Sequence, residues 1–84
     1  MDREQLVSEL KQLVIDECEK DIAPDGLSAD AQLIGKQSPL ELDSLDALQI
    51  SLAVKQRYGK AIEGGNKGRK VLASINSLAD FILA

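Results

Sequence analysis

The chain has no histidine, no tryptophan and a single cysteine, and its aromatics are limited to Tyr58 and Phe81. Without histidine it lacks the commonest general acid-base group and the commonest neutral metal ligand, so an enzyme is not expected. One cysteine, Cys18, cannot form an internal disulfide. A small domain without such bridges fits a reducing compartment, and the cytoplasm is the expected address. Cys18 itself is expected to serve as a small core residue. No apolar run approaches the roughly 20 residues that cross a bilayer, and the segment after Met1 is charged and amphipathic rather than signal-like, so neither membrane contact nor export is expected.

Apolar residues make up 44% of the 84 positions, nearly all aliphatic. Leucine, isoleucine, valine and alanine suit a helical core, and the length allows one domain over residues 1–84. The net charge of −4 is unevenly spread. Residues 1–46 hold 12 acids against 4 bases, and residues 47–84 hold 2 acids against 6 bases. Overall acidity without stacking aromatics excludes a nucleic-acid partner.

The spacing of Leu6, Val7, Leu10, Leu13, Val14 and Cys18 predicts a helix from residue 3 to about 20, with Ile15 off its stripe beside the next loop. Asp2 and Glu4 suit its start. A long ordered loop follows, punctuated by Pro24-Asp25-Gly26, Gly35 and Pro39 and anchored by Leu27, Leu33, Ile34, Leu40 and Leu42. Within it, Ser38-Pro39-Leu40-Glu41 fits a capping-box pattern that could start a short turn. A second helix runs from Ser44 to about Tyr58, with Gly59 as its stop. The basic stretch Gly64 to Lys70 reads as a solvated mobile loop, or alternatively as a contact patch for an acidic partner. Val71 and Leu72 allow a short helical turn, and Ser74 caps a last helix carrying Ile75, Leu78, Ala79, Phe81 and Ile82. The expected fold is all-α: a small bundle of three principal helices plus a short extra one, with the long loop between the first two.

Projected at about 100° per residue, the second helix has two apolar sides. Ala47, Ile50, Val54 and Tyr58 form one, and Leu45, Leu48 and Leu52 lie nearly opposite. Either the helix is buried all round, or the leucines face outward as an interaction surface. So small a domain has little room for the first arrangement, and Gln49, Lys55 and Gln56 would give the second a polar rim.

Ser44, between Asp43 and Asp46 in "LDSLDALQI", falls at the N-cap or first turn of that helix. Capping is one role for it. The same place suits a phosphate, because exposed backbone N–H groups and the positive end of the helix dipole would favour an anion on the Ser44 oxygen.

The Asp43-Ser44-Leu45 triplet resembles the phosphopantetheine attachment motif of acyl carrier proteins, in which the serine begins the second helix. The likeness extends along most of the chain: an amphipathic first helix, the long loop, Tyr58-Gly59, and a closing helix with Ile75, Leu78 and Ile82. It implies a monomeric carrier rather than a catalyst. A phosphopantetheinyl transferase would attach the arm to Ser44, Asp43 would help that transferase engage, and acyl groups would ride as thioesters. Leu45, Asp46, Leu48, Gln49, Leu52, Lys55 and Gln56 match positions that meet partner enzymes, which load, elongate or transfer the acyl group. The second helix of general fatty acid carriers is strongly acidic, whereas here Gln49 and Lys55-Gln56-Arg57 stand in its place, and the Gly64 to Lys70 stretch replaces another acidic segment. A specialised carrier for a dedicated lipid or polyketide-type pathway is therefore expected. The alternative is an unmodified helical module that binds partners through Leu45, Leu48 and Leu52.

Overall fold

Aliphatic residues recurring at helical spacing, separated by glycine, proline and capping residues, produce four helices among the described residues. The computed structural model describes residues 2–34 and 42–84. In it α1 spans Arg3–Glu17, α2 Ser44–Tyr58, α3 Gly65–Val71 and α4 Ile75–Leu83, with one 3-10 turn at Pro24–Gly26. Among the described residues there is no strand, only an isolated parallel bridge between Ile34 and Leu42. The result is a small all-helical bundle with a radius of gyration of 11.4 Å.

Asp2 caps α1, accepting from the Glu4 N–H, and the helix buries Leu6, Leu10, Leu13 and Val14. Ile15, off this stripe, is buried too, because α1 packs against the Pro24–Gly26 turn as well as against α2 and α4. The helix stops at Glu17, short of the expected residue 20. Glu19 turns left-handed with φ 51°, its N–H bonds the Asp16 carbonyl, and the Lys20 N–H closes on the Ile15 carbonyl at 3.0 Å. That pair of bonds is a Schellman ending, formed here without the usual glycine.

α2 antiparallels α1. Its inner side buries Ile50 and Val54, with Ala47 and Tyr58 packed at the edge of the core. The Tyr58 hydroxyl donates to Glu9 of α1 at 3.1 Å. Gly59, left-handed at φ 71°, ends the helix as expected. In the loop after α1, Leu27 and Leu33 are buried, the Leu33 N–H bonds the Ala73 carbonyl, and the Asn76 N–H bonds the Ala29 carbonyl. These bonds tie the loop to the junction of α3 and α4. Gly35, Pro39, Leu40 and the Ser38–Glu41 pattern lie outside the described residues.

The stretch expected to be a mobile loop is instead α3. Three glycines weaken its helical propensity, so tertiary packing must hold it. Leu72 at its end is buried against the core, Gly68 packs on the Glu63 backbone, and Arg69 and Lys70 in the last turn complement the helix dipole. A Cβ at Gly68 would run into the Glu63 carbonyl oxygen. Ser74 caps α4 reciprocally with Ser77, burying Ile75, Leu78 and Ala79, while Phe81 and Ile82 stay partly exposed. Arg3 joins the outer ends of α1 and α4 through Asp80 at 2.6 Å.

Two substitutions should move stability in opposite directions. Glu19→Gly relieves the left-handed residue and should stabilise the fold by about 1 kcal/mol. Gly68→Ala forces α3 off the Glu63 carbonyl and should cost about 1–3 kcal/mol. Urea unfolding midpoints at unchanged slope would check both.

Candidate functional site

The start of α2 is held by two aspartates. Asp43, in extended backbone geometry, is the N-cap: its Oδ1 accepts from the N–H groups of Leu45 at 3.0 Å and Asp46 at 3.1 Å. Asp46 answers by accepting from the Asp43 N–H at 3.1 Å, which completes a capping box. Ser44 is therefore the first helical residue and not the cap. Its side chain is exposed and makes no hydrogen bond to a described residue. Capping as the role of Ser44 is thereby set aside. Two of the backbone donors at this tip, the Leu45 and Asp46 N–H groups, are already taken by Asp43.

These bonds hold the Asp43 carboxyl below the usual aspartate range, with the Asp46 N–H the largest cause and the Leu45 N–H a further one. Asp46 also faces Cys18, at the end of α1. Burial, and next the Asp46 charge, push the Cys18 thiol up from 9.0 to about 11. At neutral pH the thiol stays protonated and is a poor nucleophile.

Beside Ser44 runs a groove of about 1060 Å³. One wall is α2, with Ser44, Ala47, Leu48 and Ser51. The facing wall carries Ile62, Leu72 and Arg69, and Ile34 and Gln32 of the loop lie at its edge. The groove thus combines aliphatic side chains with the hydroxyls of Ser44, Ser51 and Ser74, the Asp30 carboxylate and the Arg69 guanidinium. A smaller cleft of about 290 Å³ between Leu13, Asp16, Glu17, Ala53, Gln56 and Arg57 lies on the other flank of α2, away from Ser44.

The second apolar side of α2 faces solvent. Leu45 is 68% exposed, Leu48 56% and Leu52 55%. Gln49, Lys55 and Gln56 are exposed around them. Charge along this surface changes sign, from Asp43 and Asp46 at the start to Lys55 and Arg57 in the last turn. That order suits the dipole of α2 itself, with acids at the positive end and bases at the negative end.

The structure brings Ser44 and Leu48 together at the groove, and it places Leu45, Gln49, Leu52, Lys55 and Gln56 on the open surface. Sequence reasoning missed the capping role of Asp43, the groove and Arg69. The first had a signal, since Asp43-x-x-Asp46 has capping-box spacing; the other two depend on where the loop and α3 return. Among the described residues no group of three or more His, Cys, Asp or Glu could hold a metal ion, and no helix is long and apolar enough to cross a membrane. Compared with protein-family models and with curated protein sequences, the chain matches none.

Asp43→Ala should lower the thermal midpoint, and Ser44→Ala should leave it nearly unchanged. A low-folded-state carboxyl stabilises above the ordinary aspartate range and loses that contribution as pH falls through its lowered value. On acidification, then, the difference between wild type and Asp43→Ala should shrink. At the alkaline end the sign reverses: the contribution of the Cys18 thiol is complete below 9.0 and is lost as pH rises through about 11. Thermal midpoints of wild type and Cys18→Ala should converge over that range.

Proposed function

We propose that this chain is an acyl carrier protein, holding acyl groups on a phosphopantetheine arm esterified to Ser44. The observation that carries this reading is the division of labour at the tip of α2. Asp43 and Asp46 cap the helix, and the Ser44 hydroxyl is exposed on the wall of a groove partly lined by aliphatic side chains.

In the modification, the Ser44 Oγ attacks the β-phosphorus of coenzyme A on a phosphopantetheinyl transferase. A phosphodiester forms, the bond to 3′,5′-ADP breaks, and the serine proton passes to a base of the transferase. The arm supplies a terminal thiol that carries the acyl group as a thioester. The chain's own contributions are a solvent-exposed hydroxyl on a fixed helix, a groove of about 1060 Å³ beside it, and a docking surface. Such a volume is ample for an extended apolar ligand. A tether concentrates its cargo around the body it is attached to, so one carrier serves several enzymes.

The docking surface is Leu45, Leu48 and Leu52, with Asp43 and Asp46 near the serine and Gln49, Lys55 and Gln56 along the strip. A partner suited to it is basic where it meets the Ser44 end and acidic where it meets Lys55. Enzymes that present a uniformly basic face would meet like charge at Lys55. A dedicated pathway, rather than general fatty acid synthesis, follows from this polarity. The competing reading, an unmodified helical module, draws on the same exposed leucines and needs no serine hydroxyl.

Incubation with coenzyme A and a broad-specificity transferase, read by intact mass, separates the two. Wild type should gain one phosphopantetheine and Ser44→Ala none. A wild type left unmodified by several transferases would point to the interaction module. For partner choice, general fatty acid enzymes should elongate on the modified protein at least about tenfold more slowly than on a variant with acids at Gln49, Lys55 and Gln56, the equivalent of roughly 1.4 kcal/mol. Equal rates would contradict the dedicated-pathway reading.

A further inference from the structure

An anion attached to Ser44 faces an electrostatic difficulty. The tip of a helix ordinarily favours negative charge, but here two carboxylates already occupy it: Asp43 takes the N–H groups of Leu45 and Asp46, and Asp46 takes the N–H of Asp43. A phosphodiester would be the third negative group at one helix end. Like charges at such separations disfavour one another, so the site calls for a cation.

Among the described residues that line the groove with Ser44, one is cationic: Arg69 of α3. The other bases of α3 are placed elsewhere. Lys67 reaches Glu63 at 3.8 Å, and neither Lys67 nor Lys70 lines the groove. Arg69 makes no ion pair with a described residue. Asp30, the acid on the groove wall, is engaged by the Asn76 side-chain amide. Space is available as well: a Cβ at Gly64 or Gly65, on the same wall, would meet nothing within 4 Å. The next residue back from Arg69, Gly68, is packed against the Glu63 backbone, which anchors the turn of α3 that carries the guanidinium.

We infer that Arg69 is the anion clamp of this groove, holding the negative group that the Ser44 arm brings into it. A guanidinium presents paired N–H donors in a planar fork that matches phosphate and carboxylate oxygens alike. That shared chemistry has two sources here, the phosphodiester of the arm and a carboxylate at the end of a cargo. Because Arg69 is exposed, its pairing weakens as salt rises. The inference rests on the modification of Ser44.

The test follows the Arg69 side-chain Nε–H resonance by NMR in four forms of the full chain: unmodified, phosphopantetheinylated, butyryl-loaded and succinyl-loaded. Arg69→Gln supplies the assignment, and Lys67→Gln serves as a charge-matched control. A shift of the Arg69 resonance on phosphopantetheinylation alone, reversed by high salt and accompanied by a 31P shift that Arg69→Gln abolishes and Lys67→Gln keeps, identifies the phosphodiester. A shift with the succinyl form only, absent with butyryl, identifies a cargo carboxylate. An Arg69 resonance unmoved across all four forms overturns the inference while leaving the carrier reading intact. Failure of Ser44 to accept the arm would overturn both, and intact mass reports that separately.

Discussion

Two aspartates three residues apart organise the first turn of α2. By closing a capping box around the first turn of α2, Asp43 and Asp46 take the N–H groups of Leu45, Asp46 and Asp43 and leave the Ser44 side chain without a hydrogen bond to a described residue. Had Ser44 been the cap, its hydroxyl would have served the helix as an acceptor. The capping box separates holding the helix from offering a hydroxyl. Everything proposed for the protein depends on that separation.

The rest of the bundle positions this end. Antiparallel packing of α1 and α2 brings Cys18 against Asp46, which backs the capping box with a partly buried neighbour. The loop, tied by its backbone to the junction of α3 and α4, delivers Ile34 and Gln32 to the groove, and the Ile34 to Leu42 bridge lies just ahead of Asp43. Leu48 belongs both to the groove and to the exposed strip. A partner that covers the leucines therefore touches the wall of the compartment in which an arm could lie. The groove beside Ser44 and the exposed strip of α2 share one side chain.

Much of this was legible in the sequence where local chemistry decides structure. The limits of α2 follow from a polar pair at its head and Gly59 at its foot, and the start of α4 follows from Ser74. Angular spacing alone separates Leu45, Leu48 and Leu52 from Ile50 and Val54, while their exposure to solvent depends on what packs around α2. Features set by tertiary contacts were hidden. Glycines at 64, 65 and 68 read as loop because propensity alone opposes a helix, whereas burial of Leu72 and the close approach of Gly68 to Glu63 override it. The early end of α1 rests on Glu19 adopting a conformation its side chain disfavours. Cap assignment was ambiguous because aspartate and serine are both good caps, and only backbone geometry chooses between them.

The most direct test of the separation between cap and hydroxyl is amide hydrogen exchange at Leu45 and Asp46, measured before and after a phosphopantetheine is placed on Ser44. Unchanged protection is expected, because the bonds to Asp43 do not involve the serine oxygen. Loss of protection on modification, or a Ser44 that accepts the group only when the first turn of α2 has opened, would contradict it.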